Sequence, residues 1–209
     1  NKFPGQPVLS QILDLIPSRK HKSNRYYKTL PVRVHLVSLL YGVFSYCNGL
    51  RELCEGMLGC EGKLSHLGFD KAPARSTLSD ANNHRSYLFF ESVYNELLLK
   101  YHSFISDSRL KGLSIRNLKI IDSTTISLFS ELLYKQIKQN FPLRYFWGNS
   151  ENAIKMQVYS VLIAQLLMVV LRKKAATKKS FANMITVVRL HITSYVNLFE
   201  FIKDTYKAW

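Results

Sequence analysis

Val158–Leu171, VYSVLIAQLLMVVL, is the longest apolar run in the chain, and the fold turns on how it is read. It holds 14 residues and includes Ser160 and Gln165, whereas a membrane span needs about 18–20 apolar residues. The run therefore reads as the middle of a core helix extending from about Glu151 to Lys173. The Arg172-Lys173-Lys174 that follows keeps a second reading open, a basic amphipathic helix lying on an acidic membrane surface.

Working outward, most of the chain has helical periodicity. Pro7 suits a first helical turn, and Val8, Leu9, Ile12, Leu13 and Ile16 mark one face up to Pro17. Pro31 opens a long apolar helix through about Tyr46. Asn48 is placed to cap a short helix, LRELCEGML. Residues 59–75, with Gly59, Gly62, Gly68 and Pro73, read as a loop. Ser76 is an expected N-cap for STLSDANNHR, and a further helix is expected from Tyr87 to about Ile105. Past Ser106–Gly112 the pattern changes. Leu113–Ile121, LSIRNLKII, is the one convincing strand, and it runs into Asp122-Ser123-Thr124-Thr125. Helices are then expected at Glu131–Asn140, about Glu151–Lys173, and Ser180–Lys203. The fold class is mostly α. Residues 1–112 are expected to form one helical domain and residues 113–209 a second unit.

Of 209 residues, 47% are hydrophobic and 21% charged, which allows a buried core and excludes disorder of the whole chain. Lys and Arg number 29 against 14 Asp and Glu, a net charge of +15. Such an excess suits a polyanion: nucleic acid first, an acidic membrane surface second. Cys47, Cys54 and Cys60 lack the paired spacing of a zinc site and read as free thiols of a reducing compartment. The opening Asn1-Lys2-Phe3-Pro4-Gly5 leads into no apolar signal-peptide segment.

Four groups of residues are equipped for chemistry or binding. Asp122 follows a strand, where a carboxylate is presented to a cleft as a metal ligand or simply closes a turn. Glu131, Lys135 and Lys138 share one helical face. They suit a metal-holding carboxylate beside phosphate-holding amines, or a solvated salt-bridge face. SRKHKSNRYYK, residues 18–28, offers Arg19, Lys20, Lys22, Arg25 and Lys28 to phosphates and Tyr26 and Tyr27 for stacking. In STLSDANNHR, Ser76, Asn82, Asn83 and Arg85 suit a helix entering a major groove, or an ordinary surface helix. The densest basic segment, RKKAATKK at 172–179, adds Arg172, Lys173 and Lys174 to the DNA-contacting set.

Several of these segments taken together carry a resemblance. GQPVLSQILDLIP, SNRYYK, HLVSLLYGVFSYCNGLRELCEGMLGCEGKLSHLGF, ARSTLSDANNHRSYLFFESVY and IIDSTTISLFS follow one another through about residues 3–130. They resemble the N-terminal half of bacterial insertion-sequence transposases of the IS-four type, within the DDE superfamily, in the subset with a helical N-terminal domain of unknown function. ELLYKQIKQNFPLRYFWGNSENAIKMQVYSVLIAQLL, continuing to about residue 202, is similar to the C-terminal end of the same transposases.

That resemblance implies a ribonuclease-H-like core in which three carboxylates hold two Mg²⁺ ions for DNA strand cleavage and transfer. Asp122 in IIDSTT matches the first Asp. Glu131 and Lys138 in ELLYKQIK match the Glu and Lys of the signature Tyr-x2-Arg-x3-Glu-x6-Lys, whose Tyr and Arg are replaced here by Thr124 and Ser127. Asp122 and Glu131 would be the metal ligands. In the family a long segment bearing the second Asp separates them. Here they stand nine positions apart with no acidic residue between. A five-stranded sheet needs on the order of 100 residues, so the chain reads as internally deleted, with the join near Ser130-Glu131-Leu132-Leu133. Glu131 is equally readable as a residue of that join. The second unit would then be a helical remnant of the core with one short strand. The resemblance implies element-end DNA as partner, with self-association or association with an intact transposase. It also implies a bacterial cytoplasmic, nucleoid-associated location and no membrane. A Mg²⁺-dependent nuclease completed by a partner chain is the enzymatic alternative.

Overall fold

The computed structural model describes residues 5–17, 30–60, 62–68, 71–101, 141 and 145–204. Among them the regular structure is helical, with no strand. The helices are α1 (Val8–Leu13), α2 (Val32–Ser45), α3 (Leu50–Leu58), α4 (Arg75–His84), α5 (Leu88–Lys100), α6 (Glu151–Lys174), α7 (Phe181–Leu190) and α8 (Leu198–Lys203). A single 3-10 turn, Leu64–Leu67, lies between α3 and α4. The expected strand at 113–121 and the expected helix at 131–140 lie outside the described residues.

The apolar run is the middle of α6, and α6 is the axis of the bundle. The Ser150 hydroxyl caps its start by accepting the Ala153 N–H at 3.2 Å, with Glu151 in the first turn and Arg172, Lys173 and Lys174 in the last. Both arrangements suit the helix dipole. Ile163, Ala164, Leu167, Met168, Val170 and Leu171 have no solvent exposure. A helix apolar on all sides belongs in a core or a membrane. By length and hydropathy α6 passes the test for a span, but 72% of its most apolar window is covered by protein. The cover comes from α5 and α2, with α4 and α7 completing it. Ser160 sits inside this apolar environment without cost, because its hydroxyl donates to the Met156 carbonyl at 2.8 Å.

One hydrophobic cluster runs from Val8 to Ile202 and takes residues from every helix. The expected boundary at 112/113 lies outside the described residues, and helices from both sides of it share this core. α2 follows Pro31 as expected and ends at Tyr46, which adopts the left-handed conformation at φ 59. A non-glycine residue there costs roughly 1 kcal/mol. The Tyr46 ring is held in place by Arg189, 4.8 Å from its centroid, and by the edge of Phe141.

Gly42 marks a close approach. A Cβ there would lie 2.6 Å from Leu53 Cδ1 on α3 and 2.6 Å from the Trp147 ring. In an open helix Gly→Ala is favourable by about 1 kcal/mol. Gly42→Ala is expected to do the opposite, destabilising by about 2 kcal/mol because the indole is rigid and buried. Tm should fall by roughly 4–8 °C in a thermal melt; an unchanged or higher Tm would show that Trp147 can yield.

Three local expectations are corrected. Ser180–Lys203 is two helices, broken at residues 191–197. The break feeds α1: the Val8 and Leu9 N–H groups, which lack side-chain caps, donate to the Ser194 and Ile192 carbonyls at 3.0 Å each. Asn197 then caps α8 by accepting the Phe199 and Glu200 N–H groups. Ser76 is not the cap of α4; Ala74 holds that position and makes no side-chain cap bond. Asn48 does not cap α3 either. Gly49 occupies the N-cap, and Asn48 instead donates its backbone N–H to the Glu52 carboxylate at 2.7 Å.

Candidate nucleic-acid interface

α4 presents two different faces. Arg75, Ser76, Asp80, Asn83 and His84 are exposed, and His84 pairs with Asp80 at 2.9 Å. Asn82 and Arg85, expected to read DNA, point into the protein and are 2% and 5% exposed. Asn82 Oδ1 is 2.7 Å from His35 Nε2, so a neutral His35 donates to it, and Arg85 Nη2 donates to the Leu30 carbonyl. α4 packs against α6 and α3, so two of the four residues expected to read DNA lie on the wrong side for a groove. Here they serve as internal hydrogen-bonding groups.

His35 is fully buried, its ring set edge-on to Phe90 at 5.3 Å. Burial pushes its pKa down to about 4; the bond to Asn82 opposes this and the Arg85 charge adds to it. Burial likewise raises the Cys47 thiol to about 12 and pushes Cys54 upward. All three cysteines are free. Cys47 and Cys54 are held as thiols rather than as reactive thiolates.

The opposite end of α6 carries the basic cluster. Arg172 and Lys174 are exposed and Lys173 is half-buried. Ala176, at φ 48, turns the chain back, and the Thr177 hydroxyl donates to the Ile202 carbonyl at 3.1 Å. That bond ties the exposed Lys178 and half-buried Lys179 to the end of α8. At the end of α5, Lys100 Nζ donates to the Leu15 carbonyl at 3.1 Å, and the Tyr101 hydroxyl donates to the same oxygen at 2.9 Å. The ammonium groups of Lys100 and Lys174 lie 5.1 and 5.5 Å from the Tyr101 ring centroid. Lys100 and Lys203 were not foreseen, because each is a single lysine ending an apolar helix and has no local signal.

The structure does not unite the two expected DNA-contacting groups it describes. Asn83 lies by the start of α6, where a Cβ on Gly148 would be 3.9 Å from Asn83 Oδ1 and 2.6 Å from Ala153 Cβ. Arg172–Lys174 ends α6, and 24 helical residues span about 36 Å. Arg19, Lys20, Lys22, Arg25, Tyr26, Tyr27, Lys28, Asp122, Glu131 and Lys138 lie outside the described residues. Among the described residues no three His, Cys, Asp or Glu side chains are grouped to hold a metal.

A cavity of about 240 Å³ opens beside α2, lined by Gly42, Tyr46, Cys47, Phe141, Trp147 and Gln157. The Gln157 amide is spent on backbone: its oxygen accepts the Trp147 N–H at 2.8 Å and its nitrogen donates to the Tyr145 carbonyl at 2.9 Å. The Trp147 indole N–H donates to the Cys47 carbonyl at 3.1 Å. These bonds shape the wall of the cavity.

The family model for a domain of unknown function, DUF4372, matches residues 4–70. This domain is found at the N-terminus of some transposases. The match takes in α1, α2, α3 and the 3-10 turn, about a third of the chain. No curated protein and no solved structure matches the chain.

Proposed function

We propose that this chain is a DNA-binding protein derived from an IS-four-type insertion-sequence transposase by internal deletion, one that holds DNA without cutting it. The match of residues 4–70 to a domain found at the N-terminus of some transposases carries the reading. The +15 charge supports it, since a phosphate backbone is the polyanion such a protein meets. The partner is duplex DNA at element ends, alone or alongside an intact transposase, in the bacterial cytoplasm. Occupying those ends without cleaving them makes the chain a competitor of the intact enzyme.

Two Mg²⁺ ions would need a donor set that the sequence does not supply. Asp122 and Glu131 are two carboxylates where the family uses three, and the nearest acidic residues in sequence, Asp107 and Glu151, belong to neither motif. Glu151 forms an exposed ion pair at the start of α6, its carboxylate lying 2.7 Å from Lys155 Nζ. A two-metal clamp on attacking and leaving oxygens therefore does not fit these residues. No catalytic step is assigned to Asp122, Glu131 or Lys138.

The purified chain is expected to shift duplex DNA in an electrophoretic assay and to leave a supercoiled plasmid unnicked with Mg²⁺. Asp122→Ala should bind DNA as the parent does. Nicking that needs Mg²⁺ and disappears in Asp122→Ala would replace this reading with the nuclease completed by a partner. Absence of any DNA binding would remove it altogether.

A further inference from the structure

Three basic helix ends and a basic loop that lie far apart in sequence meet at one end of the bundle. Lys100 ends α5, Arg172–Lys174 ends α6, and Lys203 ends α8, with Lys178 and Lys179 on the loop pinned to Ile202. Tyr101 is the joint. Its hydroxyl bonds the end of α1 through Leu15, and its ring lies within reach of the ammonium groups of both Lys100 and Lys174. Lys100, Arg172, Lys174, Lys178 and Lys203 are all exposed. Asp14 and Asp204 stand at the ends of α1 and α8 and offset only part of this charge.

Helix dipoles explain some of these cations. A helix C-terminus carries about half a negative charge, so a lysine in the last turn is stabilising on its own. That account covers Lys100, one or two of Arg172–Lys174, and Lys203. It does not cover Lys178 and Lys179, which lie beyond the helix. Lys100 and Lys174 each gain from the face of the Tyr101 ring as well, and gathering them there places two positive charges on one surface.

We infer that this face, built from Lys100, Arg172, Lys174, Lys178, Lys179 and Lys203 around Tyr101, is where the protein meets the DNA phosphate backbone. The inference rests on the DNA-binding reading above and locates it. Recognition here is sequence-independent: lysines spaced over several elements neutralise successive phosphates and fix how the duplex lies on the protein. The exposed polar face of α4, at the far end of α6, is not part of it.

The test compares two variants matched in charge. One is Lys174→Gln/Lys178→Gln/Lys179→Gln, which leaves Lys100 and its bond to Leu15 intact. The other, Arg51→Gln/Arg75→Gln/Lys155→Gln, removes three cations from α3, α4 and the start of α6. Affinity for a 30-base-pair duplex is measured by fluorescence anisotropy across a salt series. The first variant is expected to flatten the slope of log K against log salt by 2–3, about 0.9 per lost phosphate contact, and to lose on the order of a hundredfold in affinity at 0.1 M salt. The second should change the slope by less than about 1. Equal slopes in the two variants, or a normal slope in the first, would overturn the location while leaving DNA binding standing. No binding by the parent chain would instead remove the reading beneath it. Binding to acidic vesicles without DNA binding would assign the face to a membrane and overturn the inference. Acetylation of the unmodified protein gives an independent measurement that needs no variant: bound duplex should shield Lys100, Lys174, Lys178 and Lys179 more than Lys71, and equal labelling would count against the face.

Discussion

Raising salt from 50 to 200 mM is expected to weaken the proposed binding to duplex DNA by about a thousandfold, provided about six phosphates are neutralised. The physical origin is release of counterions condensed on the duplex, each basic contact freeing nearly one. With 29 Lys and Arg against 14 Asp and Glu, cations are plentiful. On the proposed reading, their gathering at the ends of α5, α6 and α8 would give a single duplex access to several at once. The same titration on duplexes of unrelated sequence should give parallel lines, since phosphate contacts carry no base information. Neutralising Arg19, Lys20, Lys22 and Arg25 together should lower affinity for all sequences alike. Affinity that ignores salt would mean that binding, if present, is not electrostatic.

Acid destabilises the fold through one buried imidazole. His35 has a folded pKa of about 4 against an ordinary value of 6.5. Because the folded value is the lower, the unfolded chain takes up the proton first as pH falls. Stability is level above about pH 6.5, declines between 6.5 and 4, and levels again below 4. The full effect is about 3 kcal/mol, at 1.36 kcal/mol per unit. Urea unfolding at pH 7 and pH 5 should therefore differ by about 2 kcal/mol from this residue alone. Other groups also titrate, so His35→Gln is the control: its amide still reaches Asn82 but takes up no proton in this range. The loss between pH 7 and 5 should shrink by about 2 kcal/mol in the variant. An identical loss in both would show that His35 is protonated without opening the core.

Where a helix carries its own punctuation, sequence was enough. α3 occupies Leu50–Leu58, the LRELCEGML segment expected, although its N-cap is Gly49 rather than Asn48, and α6 ends within one residue of expectation. α6 also shows why a 14-residue apolar run can be read correctly: it is too short to span a membrane and too apolar to lie exposed. What sequence could not reveal was which polar residues the core would claim. Asn82 and Arg85 look no different in sequence from Asn83, yet burial of His35 and of the Leu30 carbonyl recruits them inward. The break after Leu190 has one local mark, the Asn197 cap of α8, whereas its bonds to the bare start of α1, over 180 residues away, have none. The joint at Tyr101 likewise needs Leu15, Lys100 and Lys174 in one place, and no local pattern announces that.

The pairing of α1 with residues 192–198 sets a timetable for biosynthesis. Val8, Leu9 and Gln11 reach their partners at Ile192, Ser194, Val196 and Leu198 only once those residues have left the ribosome. At about 5–20 residues per second, the first helix waits roughly 10–40 s with its leading N–H groups lacking these partners. A chain that ends before residue 192 leaves the Val8 and Leu9 N–H groups without these acceptors, so truncated products should be degraded rather than accumulate.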